Sequence, residues 1–318
     1  MVVDSSASAR LRRRRLGRTH MEVTEVACGG VALGSHVPGE EVDDATAVEV
    51  VRQALASGIN YLDTSPHYRE SERRVGLALR ALGGRPDGLY LSTKTGTHPL
   101  RDRDYSAAAT RWSVENSLRL LGVDSVDLLL VHDAEASLEP VFAPDGALAE
   151  LERMRDEGKL RAIGLGVRSH ERHREAIRSG RFNAILTYAD YSLVSQTAAS
   201  LIDEAHDAGV GVIVAQVLLA GLLAGPDPSD RERFRRMPEI GLAGGWWRWA
   251  NERGVPLQAV ATQWVLRNPK VDCVLIGPRT AAEAEENVHL ATTQLPAVIW
   301  DEVERRIAEQ STKGSAGD

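Results

Sequence analysis

Along the chain, short apolar, β-branched runs alternate with longer stretches in which apolar residues recur every three or four positions. The first pattern predicts strands and the second amphipathic helices, because side chains repeat every two residues on a strand and about every 3.6 on a helix. Strands are expected at 23–28, 61–63, 89–93, 126–131, 162–167, 184–187, 211–214 and 273–276. Helices are expected near 42–57, 71–82, 105–121, 146–157, 170–179, 195–208, 258–267 and 281–290, with a last one at 296–308. Ser71 and Ser195 stand where helix-capping side chains would, and Gly58, Gly122, Gly158 and Gly209 where a left-handed residue ends a helix.

Most of these strands are nearly all apolar, as in VDLLLV, AIGLGV and GVIVA. Burial on both faces favours parallel strands wrapped by helices. Eight strand–helix pairs without a break in composition predict an α/β fold, a single-domain (β/α)8 TIM barrel. Its expected extent is 14–310, between a disordered basic tail at 1–13 and a second disordered tail at 311–318. A doubly wound open sheet is the competing architecture, but CGGVALGSH has the wrong spacing for the G-x-G-x-x-G turn that fold wants after its first strand. Residues 14–21 are expected to form a hairpin over the barrel floor, and 227–250, rich in Gly, Pro, Arg and Trp, an insertion before the seventh helix.

Composition narrows the function classes. A net charge of −7 gives no footprint for nucleic acid. The basic run RLRRRR at 10–15 reads as a solvated terminus. No stretch approaches the ~18 apolar residues of a membrane span, and the first residues lack a signal peptide's apolar core, so a cytoplasmic protein without membrane contact is expected. Cys28 and Cys273 lie in apolar strand segments, as buried free thiols would, and no spacing suggests a metal site. The composition specifies no oligomeric state.

The candidate chemistry sits where strands should end. Asp63 closes one strand, Tyr68 follows in its loop, and Lys94 and His132 close the next two. In a barrel these positions share one rim, where function is expected. A phenol with an ordinary pKa near 10 releases a proton more readily beside an ammonium, and a hydrogen-bonded imidazole adds to the effect. Asp63 would pair with Lys94 and hold it in place. Together they form a metal-free device for proton transfer. A metal-dependent hydrolase would want H-x-H or clustered carboxylates at the strand ends, which the chain lacks.

These residues carry a resemblance. The segment GINYLDTSPHYRESERRVGLAL resembles the D-T-A-x-x-Y-G-x-S-E signature of the aldo-keto reductases, STKTG their lysine strand, and SVENSLRLLGVDSVDLLLVHD the segment that ends on their histidine. VLIGPRTAAEAEENV is similar to the family's cofactor-phosphate segment, and VHDAE with the GLGV strand leans towards the aldose 1-dehydrogenase-like branch. The resemblance runs from about Leu16 to Val288. It implies an NAD(P)-dependent oxidoreductase that interconverts a carbonyl and an alcohol, with Tyr68 as general acid/base and Asp63, Lys94 and His132 as its partners. A cofactor-holding barrel with a regulatory or scaffolding role is the alternative.

It also implies a place for NADP or NAD. Gly29, Gly30 and Val31 would let backbone approach the cofactor, with Asp63 nearby. In the segment that begins at Gly277, Arg279 and Thr280 would contact the adenosine 2′ region, with Glu283 beside it and Glu286 and Asn287 on the adenine. Arg279 favours a 2′-phosphate and Glu283 opposes one, so weakened discrimination with NAD accepted is expected. At the nicotinamide end the chain departs from the family: Arg168 and Ser169 replace its Ser-Asn pair, Tyr188 its glutamine, and Ala215 or Gln216 its stacking aromatic. Arg69 replaces the glycine beside Tyr68, at a cost of roughly 1 kcal/mol if φ is positive there. Candidate substrate walls are His67, Asp133, Tyr191, Trp112 and Trp246 with its neighbours Trp247 and Trp249.

Overall fold

The structure is a computed structural model that describes residues 10–35 and 41–314. Eight strands close a barrel in chain order: β1 (Val26–Gly29), β2 (Tyr61–Asp63), β3 (Tyr90–Thr95), β4 (Val126–His132), β5 (Leu160–Gly166), β6 (Ala184–Tyr188), β7 (Gly211–Ala215) and β8 (Cys273–Ile276). Every neighbouring pair is parallel, and β8 pairs with β1 to complete the ring. After β1 to β6 come α1 (Asp44–Ala56), α2 (Ser71–Ala81), α3 (Ala107–Leu121), α4 (Ala147–Asp156), α5 (His170–Ser179) and α6 (Ala199–Asp207). Between β7 and β8 lie α7 (Ile240–Glu252) and α8 (Leu257–Arg267), and α9 (Ala281–Thr292) and α10 (Val298–Gly314) follow.

Strand β4 shows how a largely apolar run serves two cores at once. Leu128 and Leu130 point inward and pack with Tyr61, Ala162, Ala184 and Ile213. Leu129 and Val131 belong instead to the cluster between strands and helices, with Val114 and Leu148. Burying each leucine contributes about 2 kcal/mol. The same alternation places Asp63 and Lys94 on the inward face at the top of their strands, above the apolar filling.

The bottom is closed by the expected hairpin, whose strands Arg13–Arg15 and Glu22–Thr24 pair antiparallel. Leu16 enters the interior cluster. Gly17 has φ +48° and lies so near β7 that a Cβ would stand 2.2 Å from Gly211 N. The Asp272 carboxylate accepts from Gly17 N at 3.1 Å and from Val212 N at 2.9 Å, tying the turn to the sheet.

Several expectations need correction. The strand expected at 23–28 is two strands: Glu22–Thr24 serves the hairpin and Val26–Gly29 the barrel, because the chain must turn from floor to wall at Glu25. The basic run is not simply solvated. Arg14 donates to the carbonyls of Leu266, Asn268 and Val271, at and just past the end of α8, and Arg12 pairs with Glu25 at 2.8 Å. Arg13, placed in the N-terminal tail, is a strand residue; residues 1–9 of that tail lie outside the described residues. At the other end α10 runs through Gly314, into the expected C-terminal tail, whose residues 315–318 are likewise outside. Ser195 caps nothing: it pairs with Ser192 in an isolated bridge, and α6 starts at Ala199. The expected insertion at 227–250 is half helix, since GLAGGWWRWA forms most of α7. Among the described residues no helix is long and apolar enough to cross a membrane, and both cysteines are buried free thiols.

Candidate active site

Neighbouring strands run about 4.8 Å apart, so residues closing β2, β3 and β4 fall within side-chain reach of one another. The register pairs Asp63 with Ser92 and sets Lys94 beside Leu130. Lys94, wholly buried, donates to Asp63 Oδ2 at 2.6 Å and to the Thr64 carbonyl at 2.8 Å. Its nitrogen lies 4.8 Å from the centre of the Tyr68 ring. An ammonium has three N–H groups, and with two committed below, the third serves the phenol. The Tyr68 loop is held from behind by the first turn: a Cβ on Gly34 would lie 1.9 Å from the Tyr68 carbonyl oxygen. Arg69 keeps the left-handed turn that a glycine would favour, with φ +48°, and its guanidinium donates to the Ser35 carbonyl at 3.1 Å.

Burial alone would lower the Lys94 pKa, but Asp63 and the Tyr68 phenol outweigh it and the net shift is upward, so the ammonium stays charged. The expected acidification of Tyr68 is not the net result. Burial raises the phenol's pKa, and Lys94, by its charge and a hydrogen bond, offsets this only in part. Tyr68 is thus protonated at neutral pH, ready to give a proton.

His132 stands opposite, its ring 6.2 Å from that of Tyr68 and nearly perpendicular at 87°. Its Nδ1 meets the Thr97 hydroxyl at 2.8 Å, and the Tyr105 hydroxyl donates to its backbone carbonyl at 2.8 Å. Burial, with the charges of Lys94 and His67, drives its pKa well below the ordinary 6.5, so the imidazole is neutral. Thr97 occupies the Nδ1 side of the ring, and Nε2 lies on the side of Asp133.

Of the substrate walls expected from sequence, His67 and Asp133 are at this site. The His67 ring lies 6.1 Å from that of His132, and Asp133 Oδ1 is 3.5 Å from His132 Nε2. Tyr188 joins them, donating to Asp133 Oδ1 at 3.3 Å, with the Arg168 guanidinium 5.8 Å from its ring centre. Tyr191 and Trp246 do not. The Tyr191 ring packs 4.9 Å from Trp264 of α8, and its hydroxyl accepts from Asn268 at 2.9 Å. Trp246 is fully buried and donates to the Leu193 carbonyl at 3.1 Å. Both satisfy their polar atoms inside the helix layer, as large aromatics at helical spacing do. Trp112, on α3, packs against His98 and Arg101 of a small hairpin after β3.

The cofactor candidates fall in two groups. Gly29 and Gly30 end β1 beside the start of the β8 loop; a Cβ on Gly277 would come within 3.1 Å of Gly29 O, and Val31 is exposed beside them. Ser71, expected as a cap, is the first residue of α2 and donates to Gly30 O at 2.7 Å. Thr280 caps α9, while the Glu283 carboxylate accepts from Arg279 N at 2.8 Å and from its guanidinium at 3.1 Å. Glu286, with Trp247 and Gln258, lines a 310 Å³ cavity between α7, α8 and α9. Asn287 is buried and accepts from Gln258 at 2.9 Å. Across the mouth, the backbone N–H groups of Arg168 and Ser169 donate to Glu135 at 2.6 and 2.9 Å, and the Ser169 hydroxyl caps α5. Gln216 is exposed after β7 with φ +56°.

Residues that the sequence reading passed over complete the site. Tyr61 donates to Ser92 Oγ at 2.9 Å, and Ser92 donates to Asp63 Oδ1 at 2.6 Å, so a hydrogen-bonded column runs from the barrel interior to Lys94. Period-two spacing could have found them, since Tyr61 and Ser92 stand two residues before Asp63 and Lys94 on the same faces. Asp190 accepts from Thr187 and meets His170 at 2.7 Å, yet its Oδ1 is buried without a partner.

A buried phenol, a lysine paired with a carboxylate and a neutral imidazole meet at one end of a closed barrel, a set suited to proton transfer. Comparison with known proteins agrees. The Aldo/keto reductase family profile matches residues 25–307. The chain is 33% identical to L-galactose dehydrogenase of Arabidopsis thaliana over 91% of its own length and 90% of that protein's. It is 29% identical to D-threo-aldose 1-dehydrogenase of a Pseudomonas species, covering 82% and 88% of the two chains. An aldo-keto reductase of Bacillus halodurans, solved in its holo form, shares the fold with a TM-score of 0.77 at 24% identity, over 94% of this chain and 96% of that one. The chain belongs to the aldo/keto reductase family. It is an NAD(P)-dependent oxidoreductase that interconverts a carbonyl and an alcohol.

Proposed function

We propose that this enzyme works on the aldehyde or hemiacetal carbon of a small neutral sugar, with Tyr68 as the general acid/base. The observation that carries this is the Asp63–Lys94–Tyr68 arrangement, buried beneath a mouth that also holds a neutral His132. His132 Nε2–H orients the reacting oxygen, and Tyr68 Oη gives it a proton in reduction or takes one in oxidation. Lys94 stays charged throughout and makes the loss of that proton easier. Asp63 holds Lys94. The two similar proteins that act on aldoses support the substrate class, and a cytoplasmic setting belongs to the same reading.

The residues present suit a nicotinamide dinucleotide. When bound, it supplies or accepts the hydride. The unpartnered Asp190 Oδ1, just past the end of β6, is an acceptor suited to an amide N–H. The cavity beside Trp247 and Glu286 suits a planar base. Gly29, Gly30 and Gly277 leave room for backbone approach, while Arg168, Ser169, Tyr188 and Gln216 rim the opposite side. Thr280 and Arg279 stand at the start of α9. Glu283 already engages the Arg279 N–H and guanidinium with its own carboxylate, which weakens discrimination in favour of a 2′-phosphate and lets NAD be accepted.

Tyr68→Phe should reduce turnover of an aldose by a factor of about 10² to 10⁴, the usual worth of a positioned acid, while cofactor affinity measured by fluorescence stays within about threefold. Turnover that survives the substitution removes the assignment.

A further inference from the structure

A residue following the last inward side chain of a strand would point to the outer face. Asp133 follows His132 at the end of β4 and does otherwise. It takes φ +51°, a left-handed conformation that most side chains resist and aspartate tolerates better. Its N–H donates to the Gly166 carbonyl at 2.9 Å, which fixes the turn. The carboxylate therefore folds back over the imidazole, with Oδ1 3.5 Å from His132 Nε2 and 3.3 Å from the Tyr188 hydroxyl that donates to it. Its side chain is still 26% exposed, so a small molecule can reach it from solvent.

The chemistry of that position is selective. An oxygen that docks on Nε2–H arrives beside a carboxylate. Burial, and after it the charge of Glu135, raise the Asp133 pKa above its ordinary 3.8; in its ionised form the carboxylate only accepts hydrogen bonds. It repels a carbonyl oxygen, and more strongly any carboxylate or phosphate on the substrate, unless a hydroxyl is there to donate to it. The neighbouring carbon is the place from which such a hydroxyl reaches Asp133 while the reacting oxygen stays on His132.

We propose that Asp133 makes this site specific for neutral substrates carrying a hydroxyl on the carbon next to the reacting one, and that this hydroxyl donates to its carboxylate. This rests on His132 and Tyr68 acting on the reacting oxygen. It narrows the substrate class to α-hydroxy carbonyls and the corresponding vicinal diols or lactols. Simple aldehydes meet the carboxylate with nothing to offer, and 2-oxo acids meet it with a charge of the same sign.

The test compares glyceraldehyde with propanal, which lacks both hydroxyls, as substrates for reduction by NADH. Two variants are used. Asp133→Asn keeps the shape and removes the charge. Asp133→Gly removes the side chain at a backbone angle glycine accepts freely, so a loss of folding does not stand in for a loss of recognition. The ratio of kcat/KM for glyceraldehyde to that for propanal should fall about tenfold or more in Asp133→Gly, as expected when a hydrogen bond to a charged group is lost. Asp133→Asn should raise kcat/KM for glyoxylate relative to propanal by at least about fivefold as the like charge disappears. A glyceraldehyde-to-propanal ratio that changes less than about threefold in Asp133→Gly overturns the proposal. Because both readouts are ratios within one variant, they stand apart from the Tyr68→Phe result, which tests the proton-transfer assignment itself.

Discussion

The Ser92 hydroxyl donates to Asp63 Oδ1 at 2.6 Å, leaving Oδ2 of the same carboxylate to receive Lys94 at 2.6 Å. Tyr61 donates to the Ser92 oxygen from below, so the serine's own proton must point at the carboxylate. The column has one polarity, and it fixes the orientation of the Asp63 carboxylate. The lysine's remaining N–H is aimed at the phenol as a consequence.

Ser92→Ala should therefore lower kcat by a factor of about ten to a hundred, because a hydrogen bond to a buried charge is lost and Asp63 is free to rotate. Ser92→Thr restores the hydroxyl and should recover most of that loss. Steady-state kinetics on the three proteins decides it; a kcat for the alanine variant within about twofold of the parent would show that Asp63 needs no such support.

Cofactor choice is the second prediction. Glu283 places a negative carboxylate on Arg279, at the start of α9 where a phosphate would approach. Glu283→Gln should tighten NADPH binding about tenfold relative to NADH, since a like charge is removed from the phosphate's surroundings. Calorimetric titration with each cofactor measures it directly. Wild-type selectivity for NADP above about a thousandfold in kcat/KM would contradict the role given to Glu283.

A third prediction concerns acid stability. His173 is fully buried, and its Nε2–H donates to the Val167 carbonyl at 3.0 Å. Burial lowers its pKa from 6.5 to about 4, against the smaller upward pull of that carbonyl. Folded protein therefore binds fewer protons than unfolded protein between those values, and stability falls as pH drops from 6.5 to about 4. At about 1.4 kcal/mol per pH unit the loss from this one group is roughly 3 kcal/mol. Urea unfolding of wild type and His173→Gln at pH 7 and pH 4.5 reads the difference. The variant should lose markedly less stability between the two; equal losses would show that another group sets the acid limit.

Much of this was legible in the residues. Nearly all-apolar runs such as VDLLLV require cover on both faces, and eight strand runs, most of that kind, separated by helices admit a closed barrel. Asp63, Lys94 and His132 ending consecutive runs then place a proton-transfer group on one rim. What the sequence withheld depends on three-dimensional neighbours. Tyr191 and Trp246 look like mouth residues because nothing local says that Asn268 and Leu193 will satisfy their polar atoms in the helix layer. The direction of the Tyr68 shift was also out of reach, because it depends on how much water burial removes, and no spacing encodes that. Conversely, Ser92 was within reach of the two-residue repeat and needed only that Lys94 be followed back along its strand.

The hairpin beneath the barrel has a consequence for how such a molecule changes over generations. Its anchors, Gly17 against Gly211, Asp272 on two backbone amides and Arg14 on three carbonyls at and just past the end of α8, lie at the end of the barrel opposite the one that bears Lys94 and His132. Mechanical integrity is thus lodged in one storey and selectivity in another. A lineage can redraw the doorway, exchanging Asp133 or Glu283 for another partner, while the foundation that keeps the walls upright is left untouched.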